Sequence, residues 1–512
     1  MIALLRVLGI PYAMATQHPD SATRRITANE EVDEAINDLL PLEDGGFGCD
    51  EKMVDYEGKL TPYHQPEWIV DALAKTGLVP GEDYLVTPRI PAEKLEDAAR
   101  QVMVVWSCLV ANRKSMQYGG QAIKFMVHPM SETSRELVIA HRRISKLQRF
   151  AEEEIGLKLE EPIKIIPLVE DVIRLIHVDK LLAGFHSQIS KMEGMIYDYY
   201  RVFLGKSDAS LAYGHLASSI ALVIAFSRIN RWGYQEGVRV YPIIGVGKPP
   251  FRGHLAPHSV SVFVEQYSGY YTTTIQSALR FDTSRKDYIK TLQTLRDNVG
   301  REARLFEPSD ESVLIEAARR ATAEYLKLLV RIAPHIMEMT TKIPSKRDRL
   351  PPEKYGRDIS SSISFAADRE LVKAVERRSL PLPRAIKFTA TLYTIGLPPA
   401  IIGLGRGLAR IERELGDYAL DLTLKSLPLL KLDAQFELMW YDLTLAKTYV
   451  GEKVVELYIE DMKFVKEYLG VDGTGAEGRY KELLWEIRKR IPENNSVAKL
   501  VDEAGKLRGF LG

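Results

Sequence analysis

Pro11-Tyr12-Ala13-Met14-Ala15-Thr16-Gln17-His18-Pro19-Asp20 begins as a short apolar run and ends on a histidine that precedes a proline. The run reads as a buried strand, Tyr12–Thr16, and Pro19 bars His18 from the right-handed helical region while removing one backbone donor. A histidine fixed on extended backbone at the carboxyl end of a strand is placed for chemistry. Alone it is weak, because a histidine beside a turn is more often structural. The pattern recurs downstream. Short β-rich runs follow near Cys49–Val54 and at Tyr84–Thr87, Ala122–Val127, Ile163–Leu168, Tyr200–Leu204, Val238–Val246 and Thr272–Gln276, alternating with longer segments of helical period. Eight strands alternating with helices over roughly 280 residues predict an α/β fold, a (β/α)8 TIM-type barrel, for which about 250 residues is typical. A doubly wound open sheet competes with it. No Gly-x-Gly-x-x-Gly follows the first strand and opens a helix, which counts against that alternative and against a nicotinamide cofactor.

Two capping boxes, Thr27-x-x-Glu30 before a helix over about Asn29–Leu40 and Thr133-x-x-Glu136 before Leu137, Ile144 and Leu147, support helix after strand. Beyond Arg280 the pattern is mainly helical, with periods at Lys286–Asn298, Glu311–Ile332, Asp368–Arg377, Asp417–Leu427, Ala434–Met462 and Gly478–Arg490. The expected organisation is therefore a barrel core over 1–280 and a helical extension over 281–512, packed on the barrel as one unit. Within the extension, Pro344-Ser345-Lys346-Arg347-Asp348-Arg349-Leu350-Pro351-Pro352 cannot be helical throughout. It reads either as a functional basic loop, about 342–352, or as a solvated linker.

A chain of 512 residues with 46% hydrophobic content buries a large core. Lys+Arg and Asp+Glu both total 69, so the formal net charge is zero. That balance argues against a nucleic-acid partner or a membrane surface and requires any anionic substrate to meet a local basic cluster. No run of about 18 apolar residues marks a span. The start, Met1 to Ile10, is interrupted by Arg6 and lacks the regions of a signal peptide. Cys49 and Cys108, the two cysteines, stand in no metal-ligand spacing and predict a reducing, cytoplasmic setting.

In a barrel, chemistry stands where strands end and loops begin. Such positions hold Arg89 after Tyr84-Leu85-Val86-Thr87-Pro88, Glu170-Asp171 after Lys164–Val169, and Ser207-Asp208 after Tyr200–Lys206. Two carboxylates on neighbouring strands suit Mg2+, which takes one or two protein carboxylates and completes its octahedron with water and substrate oxygens. A salt bridge or helix N-cap is the alternative for each acid taken separately. After the seventh strand, Gly245-Val246-Gly247-Lys248-Pro249-Pro250-Phe251-Arg252-Gly253-His254 combines close-approach glycines with Lys248 and Arg252, as a phosphate cradle does. The acids Asp50, Glu51, Asp55 and Glu57 are open between assisting the site and forming a solvated face.

These residues carry a resemblance. Thr16–Asp20 is similar to the Thr-Gln-His-Pro-Asp segment of phosphoenolpyruvate carboxylases of the short, archaeal type, and weaker matches to the long bacterial and plant form run collinearly along the chain. Pro167-Leu168-Val169-Glu170 resembles Pro-Leu-Phe-Glu, and Lys206-Ser207-Asp208-Ala209 resembles Tyr-Ser-Asp-Ser. Phe251-Arg252-Gly253-His254-Leu255-Ala256-Pro257 resembles Gly-Arg-Gly-Gly-Ala-Pro in the long form's glycine loop. Thr274–Phe281, which contains Gln276 and Arg280, is similar to Glu-Gln-Gly-Glu-Met-Ile-Arg-Phe. Pro344-Ser345-Lys346-Arg347 matches the mobile basic loop, and Arg384-Ala385-Ile386 through Leu397-Pro398 an Arg-Ala-Ile-Pro-Trp segment. Two departures stand out. Val246 occupies the place of a second glycine-loop arginine, so Lys248 is the expected substitute, and Leu211 stands where a lysine follows Ser-Asp-Ser.

The resemblance implies a carboxylation of phosphoenolpyruvate by bicarbonate to oxaloacetate and phosphate, with Mg2+ or Mn2+ on Glu170 and Asp208. It implies His18, Arg89, Arg252, Lys346 and Arg347 as catalytic residues and Arg252, Gly253, Lys248, Gln276 and Arg384 as substrate contacts. It also implies a homo-oligomer, a homotetramer or dimer. The runner-up is a metal-dependent pyruvate or oxaloacetate lyase or aldolase, which needs paired acids and an arginine but no phosphate cradle. A helical scaffold or binding module on a barrel is the remaining reading, and it predicts no metal-dependent ligand binding.

Overall fold

A computed structural model describes residues 9–17, 21–193, 197–347, 359–368, 371, 382–491 and 496–512. Eight parallel strands close into a barrel in sequence order: β1 Ala13–Thr16, β2 Glu51–Asp55, β3 Leu85–Arg89, β4 Phe125–His128, β5 Lys164–Val169, β6 Tyr199–Gly205, β7 Arg239–Gly245 and β8 Thr272–Ile275. Closure is the pairing of β1 with β8, Ala13 opposite Thr273. The eight expected strands are all present, and the open sheet is excluded.

Strand alternation divides the side chains into two cores. Met14, Met53, Leu85, Phe125, Val127, Ile166, Leu168, Phe203 and Ile243 point inward and fill the barrel. The opposite faces join the large outer core, one buried apolar cluster that runs from Tyr12 to Leu511 and draws on both halves of the chain. Inside the barrel lies a polar plug. Arg201 of β6 donates to both carboxylate oxygens of Glu51 on β2, at 2.8 and 2.7 Å, and to Thr272 at 3.0 Å, while Thr87 donates to Glu51 as well. Both charges are fully buried. A pair with this bidentate geometry offsets its desolvation; either partner alone would leave an uncompensated buried charge.

Both capping boxes form, at Thr27–Glu30 and Thr133–Glu136. Helix Pro308–Lys342 runs longer than the sequence period indicated. The expected helix Ala434–Met462 is instead three helices, Leu430–Glu437, Leu443–Val450 and Glu452–Leu469. Asp442 starts the second by accepting from Leu445 N at 2.9 Å, and Gly451, at φ +81°, separates the second from the third. The expected helix Asp368–Arg377 falls mostly outside the described residues. Among the described residues no single helix is long and apolar enough to cross a membrane.

Candidate active site

The carboxyl ends of the strands open into a cavity of about 410 Å³. Arg89, Glu170, Asp208, Arg252, Gln276 and Arg384 all line it, so six of the residues singled out in the sequence meet in one place. His18 lies outside the described residues.

The acids stand on neighbouring strands. Val169 pairs with Leu204, so Glu170 follows β5 at the level where Gly205 ends β6, and Asp208 opens helix Ser207–Tyr213. A Cβ built on Gly205 would stand 3.0 Å from the Glu170 Cβ; glycine is what gives the Glu170 side chain its room. Asp171 is divided from Glu170 by role. It caps helix Val172–Ile176, accepting from Ile173 N at 3.0 Å and Arg174 N at 3.2 Å, and takes a 2.6 Å bond from the Tyr213 hydroxyl.

Arg252 is 1% exposed and its guanidinium is fixed on three sides. Nε donates to Ser207 Oγ at 3.0 Å, Nη2 to Gln276 Oε1 at 2.7 Å, and Nη1 to Gly512 O at 2.7 Å. The loop beneath it is wound tightly by Gly247 N to Arg252 O (2.7 Å) and Leu255 N to Gly247 O (3.0 Å). A Cβ at Gly247 would come within 2.8 Å of Gln276 Oε1, and Gly253 holds φ +114°. Gly253 thus shapes the turn and is absent from the cavity wall. Arg89 is clamped by Asp55, through Nε and Nη2 at 2.8 Å each, and by Glu57 at 2.8 Å. Burial pulls its pKa down, but Asp55, Glu57 and, more weakly, Glu170 hold it above the ordinary arginine value. The acids Asp55 and Glu57, open on sequence alone, are thereby assigned to arginine placement. Arg384 enters from the helical half, where burial lowers its pKa against the pull of Glu57, Asp55 and Asp208.

Three expected basic residues sit elsewhere. Lys248 Nζ donates to Asp282 O and Thr283 Oγ1, both at 2.8 Å, and borders a second cavity with His258 and Arg508. Lys346 pairs with Asp502 at 2.5 Å. Arg347 pairs with Glu31 at 2.9 Å and Glu34 at 2.6 Å, inside a buried network that also takes in Lys52, Lys59 and Arg280. Burial would raise the Glu34 pKa, yet Lys52, Arg347 and Arg280 hold it well below the carboxylate range. Residues 348–352 of the basic loop lie outside the described residues.

Lys206, which opens the Lys206-Ser207-Asp208-Ala209 match but has no role on sequence alone, lines the cavity and is wholly buried. Its Nζ donates to His215 O at 2.9 Å and to Ser218 Oγ, and burial, opposed by Asp433, pulls it down to about 7. Cys49 and Cys108 are free and buried. Among the described residues no group of three or more His, Cys, Asp or Glu side chains has the arrangement to hold a metal. Five acids line the cavity; Glu57 pairs with Arg89, Glu132 with Lys94, and Asp171 caps a helix, and the pair Glu170 and Asp208 suits a hard divalent cation that draws its other ligands from water and substrate, not one needing a closed protein cage.

The phosphoenolpyruvate carboxylase family model matches residues 10–512. Relatives named phosphoenolpyruvate carboxylase include one from Pyrobaculum islandicum, 37% identical over 508 residues that cover 98% of this chain and 100% of that protein. One from Methanosarcina acetivorans is 35% identical over 526 residues, covering 98% and 99%. One from Methanopyrus kandleri is 37% identical over 451 residues, 84% of each. Among solved structures, a Haloferax volcanii malate synthase in complex with magnesium and glyoxylate is 11% identical with a TM-score of 0.38, over 81% of this chain and 98% of that one, a likeness too slight to bear on the site. Similarity of this extent, over nearly the whole chain and in line with the strand-end acids and arginines, establishes that the chain belongs to the phosphoenolpyruvate carboxylase family of enzymes.

Proposed function

We propose that this cavity carries out metal-dependent carboxylation of phosphoenolpyruvate, with Glu170 and Asp208 holding Mg2+ or Mn2+. The observation that supports it is the meeting of those two acids with Arg89, Arg252 and Arg384 on one cavity wall. A bound divalent cation supplies Lewis-acid stabilisation of developing negative charge there. Arg252, held by Gln276 and Ser207, binds the phosphoryl group, and Arg384 and Arg89 add fixed positive charge around the anionic substrates. A bicarbonate oxygen attacks phosphorus, the bond from phosphorus to the enol oxygen breaks, and carboxyphosphate and the pyruvate enolate result. His18 then takes the carboxyphosphate proton; its C–O bond breaks to release CO2 and phosphate, and the enolate carbon attacks CO2 to give oxaloacetate. Lys346 and Arg347, anchored in ion pairs, hold the basic segment that screens the enolate from water. Two buried free thiols accord with work in a reducing cytoplasm, and the enzyme acts as a homo-oligomer.

The test measures oxaloacetate and phosphate together. Both are expected only when phosphoenolpyruvate, bicarbonate and the cation are all present, and Glu170→Gln and Asp208→Asn are expected to lose turnover at limiting Mg2+ with unchanged circular dichroism. Full activity of both variants would refute the metal assignment. His18→Asn is expected to keep slow bicarbonate-dependent phosphate and pyruvate release while making almost no oxaloacetate; equal loss of both products in a folded variant would place His18 earlier in the reaction.

A further inference from the structure

Asp433 lies in the helical half, on helix Leu430–Glu437, and is buried. Its carboxylate joins two buried histidines of the barrel half. Oδ1 accepts from His254 Nδ1 at 2.6 Å, and Oδ2 from His215 Nε2 at 2.8 Å. An ionised carboxylate only accepts, so His254 carries a proton on Nδ1 and His215 on Nε2. The other ring nitrogen of His254 meets His258 Nε2 at 2.9 Å. Burial pulls His215 and His258 below the usual histidine range, His258 to about 4 with His254 and Lys248 acting in the same direction. A buried carboxylate bonded to imidazoles, and among the described residues to no lysine or arginine, is an expensive joint where an amide would serve. What it provides is two charge-assisted bonds from one rigid group.

Those bonds reach both parts of the site. His254 follows Arg252 by two residues and holds φ at +57°, a left-handed conformation that strains a residue bearing a Cβ and persists where the surroundings enforce it. His215 opens helix His215–Glu236, and its carbonyl oxygen takes the bond from Lys206 Nζ. Lys206 precedes Ser207, whose Oγ accepts from Arg252 Nε. The contacts therefore close a ring that runs from Arg252 to Ser207, along the chain to Lys206, across to His215, Asp433 and His254, and back along the chain to Arg252. Asp208 adjoins Ser207 on this ring, and Asp433 is its one member from the helical half. We propose that Asp433 is a positioning residue for the carboxylation, which by holding His254 to His215 fixes where Arg252 stands relative to Asp208.

This rests on the reading of Arg252 as the phosphoryl contact and Asp208 as a metal ligand. Asp433→Asn keeps the side chain's shape and removes its charge and one acceptor oxygen. A shift of about 1 Å in a reacting constellation costs on the order of 100-fold, so a partial release is expected to lower kcat/KM for phosphoenolpyruvate roughly tenfold and to raise the Mg2+ requirement, with unchanged circular dichroism. The deciding measurement is a double-mutant cycle with Arg252→Gln. Because Asp433 acts through Arg252, adding Asp433→Asn to Arg252→Gln is expected to cause little further loss. The same factor lost in both backgrounds, as a merely structural carboxylate predicts, would overturn the proposal. His254→Asn and His254→Leu approach the joint from its other end and do not depend on how Asp433→Asn folds. Asparagine tolerates positive φ and offers an N–H near the place of Nδ1, whereas leucine does neither, so His254→Asn is expected to be severalfold more active than His254→Leu. Equal kcat/KM in the two would overturn the link. Wild-type kinetics in Asp433→Asn beside an impaired Arg252→Gln would overturn this proposal alone; wild-type kinetics in Arg252→Gln would overturn the reading of the site and this proposal with it.

Discussion

Gly205→Ala tests whether the position of Glu170 matters and not merely its presence. The added Cβ would meet the Glu170 Cβ at 3.0 Å and Leu168 Cδ1 at 3.5 Å. Carbon atoms pack at about 3.5–4.0 Å, so Glu170 must retreat by roughly 0.5 Å. That displacement equals the tolerance of a catalytic constellation, about 0.5 Å, and a misplacement of about 1 Å costs on the order of 100-fold. The expected loss in kcat/KM is therefore about tenfold, or about 1.4 kcal/mol, with a raised Mg2+ requirement. Stability should fall by at most about 2.5 kcal/mol, because alanine in a strand gains roughly 0.5–1 kcal/mol over glycine while overpacking costs about 1–3 kcal/mol. The assay is steady-state oxaloacetate formation across a Mg2+ titration, beside a thermal melt. Wild-type kinetics at every Mg2+ concentration in a variant of normal Tm would refute the placement of the cation on Glu170.

Arg252→Gln removes a charge-assisted contact to the phosphoryl group worth about 1.5–3 kcal/mol, so KM for phosphoenolpyruvate or kcat/KM should worsen roughly 10- to 150-fold, and an unchanged KM and kcat would remove Arg252 from the site. Lys346→Ala with Arg347→Ala breaks the ion pairs to Asp502, Glu31 and Glu34 and should raise pyruvate formed per oxaloacetate; a constant product ratio would show the segment to be a linker. Asp50, which accepts from Tyr12 N and Ala13 N, is pushed up to about 7, chiefly by burial and also by Glu51, with those backbone bonds opposing. A carboxyl that holds its proton more tightly folded than unfolded costs stability as pH rises from about 4 to about 7, where the native state binds the extra proton, and no more above that window. Asp50→Asn should therefore gain on the wild type from pH 4 to pH 8, by at most about 4 kcal/mol at about 1.4 kcal/mol per pKa unit, and a pH-independent Tm difference would refute the assignment.

The strands were legible because seven of the runs are apolar or β-branched and bounded by turns. The remaining one, near Cys49–Val54, read weakly for a physical reason. Glu51 and Lys52 are charged residues inside a strand, and what makes them tolerable is remote: Arg201 comes from β6, 150 residues away, and Asp38 from a neighbouring helix. The break of Ala434–Met462 into three helices was written in Asp442 and Gly451, a cap and a left-handed glycine that a continuous apolar period obscured. At the site, strand ends located Arg89, Glu170 and Asp208, because barrel topology converts sequence position directly into place. Loops do not have that property. Nothing local distinguishes Arg252, which faces the cavity, from Lys248, which turns to Asp282 O four residues earlier.

The difference between those two basic residues explains why the cations on the cavity wall are arginines but for Lys206. Burial lowers lysine here, Lys206 to about 7 and Lys248 to about 8, so Lys206 is only partly charged near neutrality, while Lys248 keeps most of its charge but turns to Asp282 O, away from the cavity. A guanidinium starts so far above neutrality that even Arg384, lowered by burial, keeps its charge, and Arg89 is raised further by Asp55 and Glu57. Stabilising an enolate and a phosphoryl group away from water requires positive charge that survives desolvation and does not reorganise as the reaction proceeds. Arg252 meets both conditions, being 1% exposed and already fixed by Ser207, Gln276 and Gly512. The long family form's second glycine-loop arginine therefore has no equivalent in Lys248, whose Nζ is turned to Asp282 O and Thr283 Oγ1. Arg384, which the helical half places on the cavity wall together with Ser361, Ala385 and Ile386, is the arginine we propose in its stead.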